Sequence, residues 1–268
     1  MKFIEKLNNK WKEGKYLCIG LDTVLDKIPG TILGEDMIFD FNKAIIDATH
    51  DLVAAYKPNS AFYEAEGAWG IEQLQKTTKY IVKNYPDIVI LLDFKRADIG
   101  NTNEGYVKFA FEYLEVDAVT VQPYLGREAI QPFLRKANKG VFVLCRTSNP
   151  GADEFQDLES NSTYLYEKVA FQVSNQWNMK DNAGLVVGAT YPRELEKVRQ
   201  IAKNIPILIP GVGAQGGDLE KTVKAAKKNF LLNSSRGIIF ASDEEDFAEA
   251  ARFEAEKLHT EIQKILER

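Results

Sequence analysis

Cysteine and histidine are scarce in this chain, with two of each in 268 residues. Cys18 and Cys145 both sit inside apolar runs, which excludes a disulfide scaffold or a cysteine-based zinc site and fits a cytoplasmic location. His50 and His259 fall in helical stretches and leave no basis for a histidine-centred triad or zinc site. No apolar run approaches the ~18 residues of a membrane span, and the opening MKFIEKLNNKWKEGK lacks a secretory apolar stretch. Positive charge is not in excess either. The 34 Lys+Arg against 39 Asp+Glu leave a net charge of −5, which disfavours a general nucleic-acid binder while leaving room for a local basic pocket.

What the chain does have is a large apolar fraction, 45% against 27% charged, enough for a sizeable core. Short β-branched runs recur at 16–22, 52–58, 88–95, 117–123, 140–146, 184–190, 205–211 and 230–235. They are continuous rather than alternating, the pattern of parallel strands covered on both faces. Helical stretches fall between and after them at 36–50, 70–84, 103–114, 126–137, 163–177, 192–203, 218–227 and 244–266. Eight strands alternating with eight helices, with no Pro/Gly linker or composition shift, predict one (β/α)8 TIM barrel, a single domain over 1–268. A doubly wound open sheet is the alternative. The segment 147–162 is long, polar and carries a Pro-Gly turn, as lids and binding loops do.

A barrel builds its site at the carboxyl ends of its strands. Asp22, Lys57, Asp93 with Lys95, Gln122, Ser148, Thr190, and Ser235 with Arg236 stand at those ends. The densest segment is DFKRADIGNT (93–102). Residues two apart on a strand share a face, so Asp93 and Lys95 are both predicted to project into the barrel mouth. Charges there are costly unless paired. With Lys57 on a neighbouring strand and Asp98 just beyond, they can form a Lys-Asp-Lys-Asp network, which fixes an ammonium where a proton must be delivered.

GVGAQGGD (211–218) happens to match G-x-G-x-x-G, yet six βα units precede it and one strand follows, so a dinucleotide-binding half cannot be built from it. In a barrel, the loops after strands seven and eight commonly bind phosphate, and Arg236 would add a bidentate guanidinium. Thr190, Pro192 and Glu194 read as ordinary helix-start chemistry, and Trp11, Trp69 and Trp177 as packing residues.

Together, AYKPN (55–59), DFKRADIGNT (93–102), RTSNPG (146–151), PGVGAQGGD (210–218) and NSSRGI (233–238) resemble orotidine 5′-phosphate decarboxylase, in its longer bacterial subfamily. The resemblance runs from Asp22 to Arg236 with the five motifs in order. It implies a homodimeric (β/α)8 barrel that converts orotidine 5′-phosphate to UMP and carbon dioxide without metal or organic cofactor. By this resemblance Lys95 protonates C6, Asp93 faces the substrate carboxylate, and Lys57 binds the ribose and orients Asp93. Asp98 would complete the network from the other subunit, with Ile99 and Thr102 lining that shared site. Asp22 would bind ribose and Ser148 the pyrimidine edge; Gln215 and Arg236 would hold the phosphate, with Ser235 beside them. Ala97 stands where many relatives carry glycine.

Rival readings keep the barrel. Sugar-phosphate relatives, 3-keto-L-gulonate 6-phosphate decarboxylase and hexulose-phosphate synthase, share D-x-K-x-x-D but use Mg²⁺. A Schiff-base aldolase would use Lys57 or Lys95. A phosphate-ligand sensor barrel would leave the inward Asp93 and Lys95 without a task.

Overall fold

The computed structural model describes residues 1–212 and 217–268. Eight parallel strands close into a barrel: β1 (Leu17–Gly20), β2 (Val53–Lys57), β3 (Val89–Arg96), β4 (Ala118–Val121), β5 (Gly140–Arg146), β8 (Ala183–Val187), β9 (Ile207–Pro210) and β10 (Phe230–Ser234). Two further strands, β6 (Glu159–Ser160) and β7 (Thr163–Tyr164), make a small antiparallel hairpin outside the barrel. Neighbours in sequence are neighbours in the barrel, and β10 closes it by pairing with β1. The predicted (β/α)8 architecture is therefore the observed one, with every predicted barrel strand present.

The helices are α1 (Phe3–Lys12), α2 (Met37–Thr49), α3 (Ser60–Glu64), α4 (Gly67–Asn84), α5 (Gly100–Lys108), α6 (Gly126–Leu134), α7 (Asp153–Gln156), α8 (Leu165–Gln172), α9 (Pro192–Ala202), α10 (Leu219–Ala226), α11 (Arg236–Ile239) and α12 (Phe247–Leu266). Both α5 and α8 run on into a wider π-helical turn, at Phe109–Tyr113 and Val173–Trp177.

The continuous apolar runs arise because each strand faces two cores. On β5, Val141 and Val143 belong to the layer between barrel and helices, while Phe142 points into the barrel. Val186, Leu208 and Leu231 join Phe142 in that inner cluster.

The sequence pattern assigned no helix to the N-terminus, yet α1 is the plug of this barrel. Its Phe3, Leu7 and Trp11 recur every four residues, lie on one face, and pack into the inner cluster. The Phe3 ring meets Phe142 edge-on at 5.7 Å, and the Trp11 ring N–H donates to the Phe230 carbonyl at 2.9 Å. Residue 140 has to be glycine for this fit, since a Cβ there would lie 2.7 Å from the Phe3 ring. With the amino end of the barrel filled, its carboxyl end is the end that opens.

Candidate active site

The open end holds a cavity of about 480 Å³. Asp22, Lys57, Asp93 and Lys95 line it, as do Ser148, Ser235 and Arg236. Strand ends that are far apart in sequence thus converge on one volume. Gln122 and Thr190, also expected at strand ends, do not line it.

At its centre lies the Asp93 carboxylate, only 8% exposed. Its Oδ2 accepts a hydrogen bond from the Lys57 ammonium at 2.9 Å, and its Oδ1 accepts from Lys95 at 2.7 Å and from the Thr120 hydroxyl at 2.8 Å. Lys57, ending β2, is 3% exposed and also lies 3.8 Å from Asp22. Burial by itself disfavours the Lys57 ammonium, but Asp22 and Asp93 outweigh it and hold Lys57 above the usual lysine range. Burial likewise pushes Asp93 up, and the Lys57 and Lys95 charges reverse that and hold its carboxyl well below the usual range. Both groups are therefore ionised at neutral pH. The Lys95 side chain, by contrast, is 48% exposed and reaches across the cavity wall.

On the opposite side, the Ser235 hydroxyl donates to Asp22 Oδ2 at 2.7 Å, which ties the end of β10 to the end of β1. Arg236 opens the short helix α11 beside it and is exposed. Three cations, Lys57, Lys95 and Arg236, face two carboxylates, Asp22 and Asp93, so the lining carries one net positive charge among the described residues.

Residues 15–251 match the Orotidine 5′-phosphate decarboxylase / HUMPS family profile. The Orotidine 5′-phosphate decarboxylase of Cellvibrio japonicus is 47% identical over 270 residues, covering 98% of each chain. The chain belongs to the orotidine 5′-phosphate decarboxylase family. Among solved structures, OMP decarboxylase of Leishmania donovani is 36% identical with a TM-score of 0.84, covering 98% of this chain and 99% of that one. UMP synthase of the same organism is 38% identical with a TM-score of 0.89; the match takes in 99% of this chain but 57% of that longer one.

Not every residue expected at the site of this decarboxylase-family barrel lines the cavity. Asp98, Ile99 and Thr102 lie on and beyond the turn after β3, outside the lining. Asp98 makes no ion pair among the described residues; its Oδ1 accepts from the Ile99 N–H at 2.6 Å, and the Asn103 side chain braces its backbone N–H at 3.0 Å. The four-charge network is thus three-membered within one chain. Gln215 lies outside the described residues.

The segment 147–162, expected as a lid or binding loop, contributes to the cavity wall through Thr147, Ser148, Asn149 and Gln156 at the end of α7; the β6–β7 hairpin that follows lies outside the lining. Arg146, 2% exposed, anchors the segment: the guanidinium pairs with Asp157 at 2.9 Å and stacks 3.9 Å over the Tyr191 ring. Gln156 accepts from the Thr147 N–H at 2.8 Å, and both side chains line the cavity next to Ser148.

Thr120, Asn59, Thr147, Gln156 and Asn233 are site residues that the sequence reading passed over. The signal for Thr120 and Asn233 was a polar residue inside a buried strand, weak for Thr120 because threonine is a favoured strand former and stronger for Asn233 because asparagine is depleted in strands. The scarce residues stay out of the chemistry. His50 stacks on Tyr85, neither histidine lines the cavity, and burial pushes the Cys18 thiol up to about 12 and Cys145 up as well.

Proposed function

We propose that this chain decarboxylates orotidine 5′-phosphate to UMP and carbon dioxide, the last step of de novo pyrimidine nucleotide synthesis. It does so without a cofactor, as a cytoplasmic homodimer with shared active sites and one barrel domain over 1–268. The observation that carries the reading is the Lys95 ammonium held 2.7 Å from a buried carboxylate at the mouth of a cavity of nucleotide size.

As the C6–carboxylate bond breaks, its electron pair stays on C6, where the pyrimidine offers no sink. Fixed positive charge is then the available stabilisation, and a preorganised ammonium supplies it without reorganisation. Lys95 delivers its proton to C6, giving UMP, and is reprotonated by solvent. Asp93 stands against the substrate carboxylate, and the repulsion between them is relieved as carbon dioxide departs. Lys57 and Asp22 take the ribose, Ser148 the pyrimidine edge, and Arg236 with Ser235 and Gln215 the phosphate. Binding energy from that distant phosphate can be used to orient the reacting ring.

Asp98 of a second copy completes the network, with Ile99 and Thr102 lining the same shared site. In support, Ile99, Tyr124 and Leu125 are exposed on loops after the neighbouring strands β3 and β4, an apolar edge beside Asp98 that a second copy would cover.

The test follows the absorbance of orotidine 5′-phosphate with purified protein in EDTA. Loss of the orotate chromophore with UMP as product supports the reading. No change in EDTA, with Mg²⁺-dependent turnover of a phosphorylated sugar instead, would transfer the chain to the metal-using branch.

A further inference from the structure

Lys95 occupies a backbone conformation that L residues rarely adopt, φ +47°, within β3. The β3–β4 ladder breaks there: Leu92 pairs with Val119 and the next pair is Arg96 with Val121. Three residues of β3, 93 to 95, therefore face one residue of β4, Thr120. A bulge of this kind bends a strand and re-aims its side chains, and it leaves backbone groups without a ladder partner.

Thr120 supplies the missing partner. Its hydroxyl oxygen accepts the Lys95 N–H at 3.0 Å, and the same hydroxyl donates its hydrogen to Asp93 Oδ1 at 2.8 Å. A hydroxyl has one hydrogen, so each end of this bridge has a single role. Thr120 is 1% exposed and does not line the cavity. It acts through the two residues that do.

We propose that Thr120 is a positioning residue: its hydroxyl holds the strained Lys95 backbone and the Asp93 carboxylate in one frame, so that the Lys95 ammonium stands where a proton is delivered. Without it, the Lys95 N–H has no acceptor and the bulge can relax toward ordinary strand geometry, which moves the root of the lysine. The Lys95–Asp93 contact can re-form after such a shift; its place relative to a bound ligand cannot. The loss therefore falls on turnover rather than on ligand binding.

The kinetic part of the test rests on the decarboxylation proposed above. Thr120→Val keeps the shape and removes both hydrogen bonds, whereas Thr120→Ser keeps the hydroxyl. For Thr120→Val, kcat is expected to fall roughly 10- to 100-fold, with KM and the Kd for UMP within about threefold of wild type. Thr120→Ser keeps kcat within about threefold, and the Lys95 amide and Asp93 carboxyl resonances stay in place there but move in Thr120→Val. Wild-type kcat in Thr120→Val, or equal damage in both variants, overturns the proposal, because either result leaves the hydroxyl without effect. If the wild type turns over no orotidine 5′-phosphate, the functional reading fails alone. The two resonances, read in Thr120→Val if it folds and in Thr120→Ser in any case, then decide the role of Thr120.

Discussion

The Lys95 ammonium reaches back along its own strand to Asp93, two residues earlier, and the two meet at 2.7 Å with one partner buried and the other half exposed. The buried carboxylate fixes the position of the ammonium, and the exposure of Lys95 leaves it within reach of a ligand.

Replacing Lys95 with alanine removes the proposed proton donor and the fixed charge together. Turnover is expected to drop ~10³-fold or more, beyond what loss of a single stabilising donor costs, while UMP still binds. Steady-state rates with calorimetric binding check this, and near-normal turnover would remove Lys95 from the chemistry.

The Asp93 carboxyl predicts a direction for stability against pH. In the unfolded chain an aspartate titrates near ~3.9. The folded value lies below that, held down against burial by Lys57 and Lys95. The contribution of the carboxylate is thus fully present above about pH 5 and is lost as pH falls through ~4 toward the folded value. Asp93→Asn also leaves Lys57 buried with one partner fewer, at a cost of about 3 kcal/mol at pH 7. The gap between the melting curves of the two proteins should begin to narrow as pH falls below ~4 and go on narrowing toward the folded value; a gap that ignores pH would contradict the linkage.

Arg236→Ala is expected to weaken affinity for the phosphorylated ligand ~10- to 100-fold, the worth of a charge-assisted hydrogen bond, with a much smaller change in kcat. Uridine, which has no phosphate, serves as the control and should bind both proteins alike. An unchanged KM would take Arg236 out of the phosphate site.

The proposed sharing of sites between two copies makes a quantitative prediction about mixed subunits. Lys95→Ala and Asp98→Ala are each inactive, but a heterodimer of the two carries one intact site. Random mixing in equal amounts restores about one quarter of the wild-type activity. Proven mixing with no recovery would argue that each site is complete within one chain.

The barrel was legible in the sequence because its signals are local. Eight apolar runs with helical patterns between them state their own strand and helix identity, and the carboxyl end of each run is visible wherever the run stops. Hence Asp22, Lys57, Asp93, Lys95, Ser148, Ser235 and Arg236 could all be named before any contact was known, and all line one cavity. The tertiary structure decided what depends on pairs distant in the chain. The packing of α1 into the barrel depends on Phe3 meeting Phe142, and the wall beyond Arg146 on Asp157 and Tyr191. The posture of Lys95 depends on a hydroxyl 25 residues away. A periodic pattern records which face of an element is apolar; it carries no record of which partner that face will meet, because that choice is made only when the barrel closes.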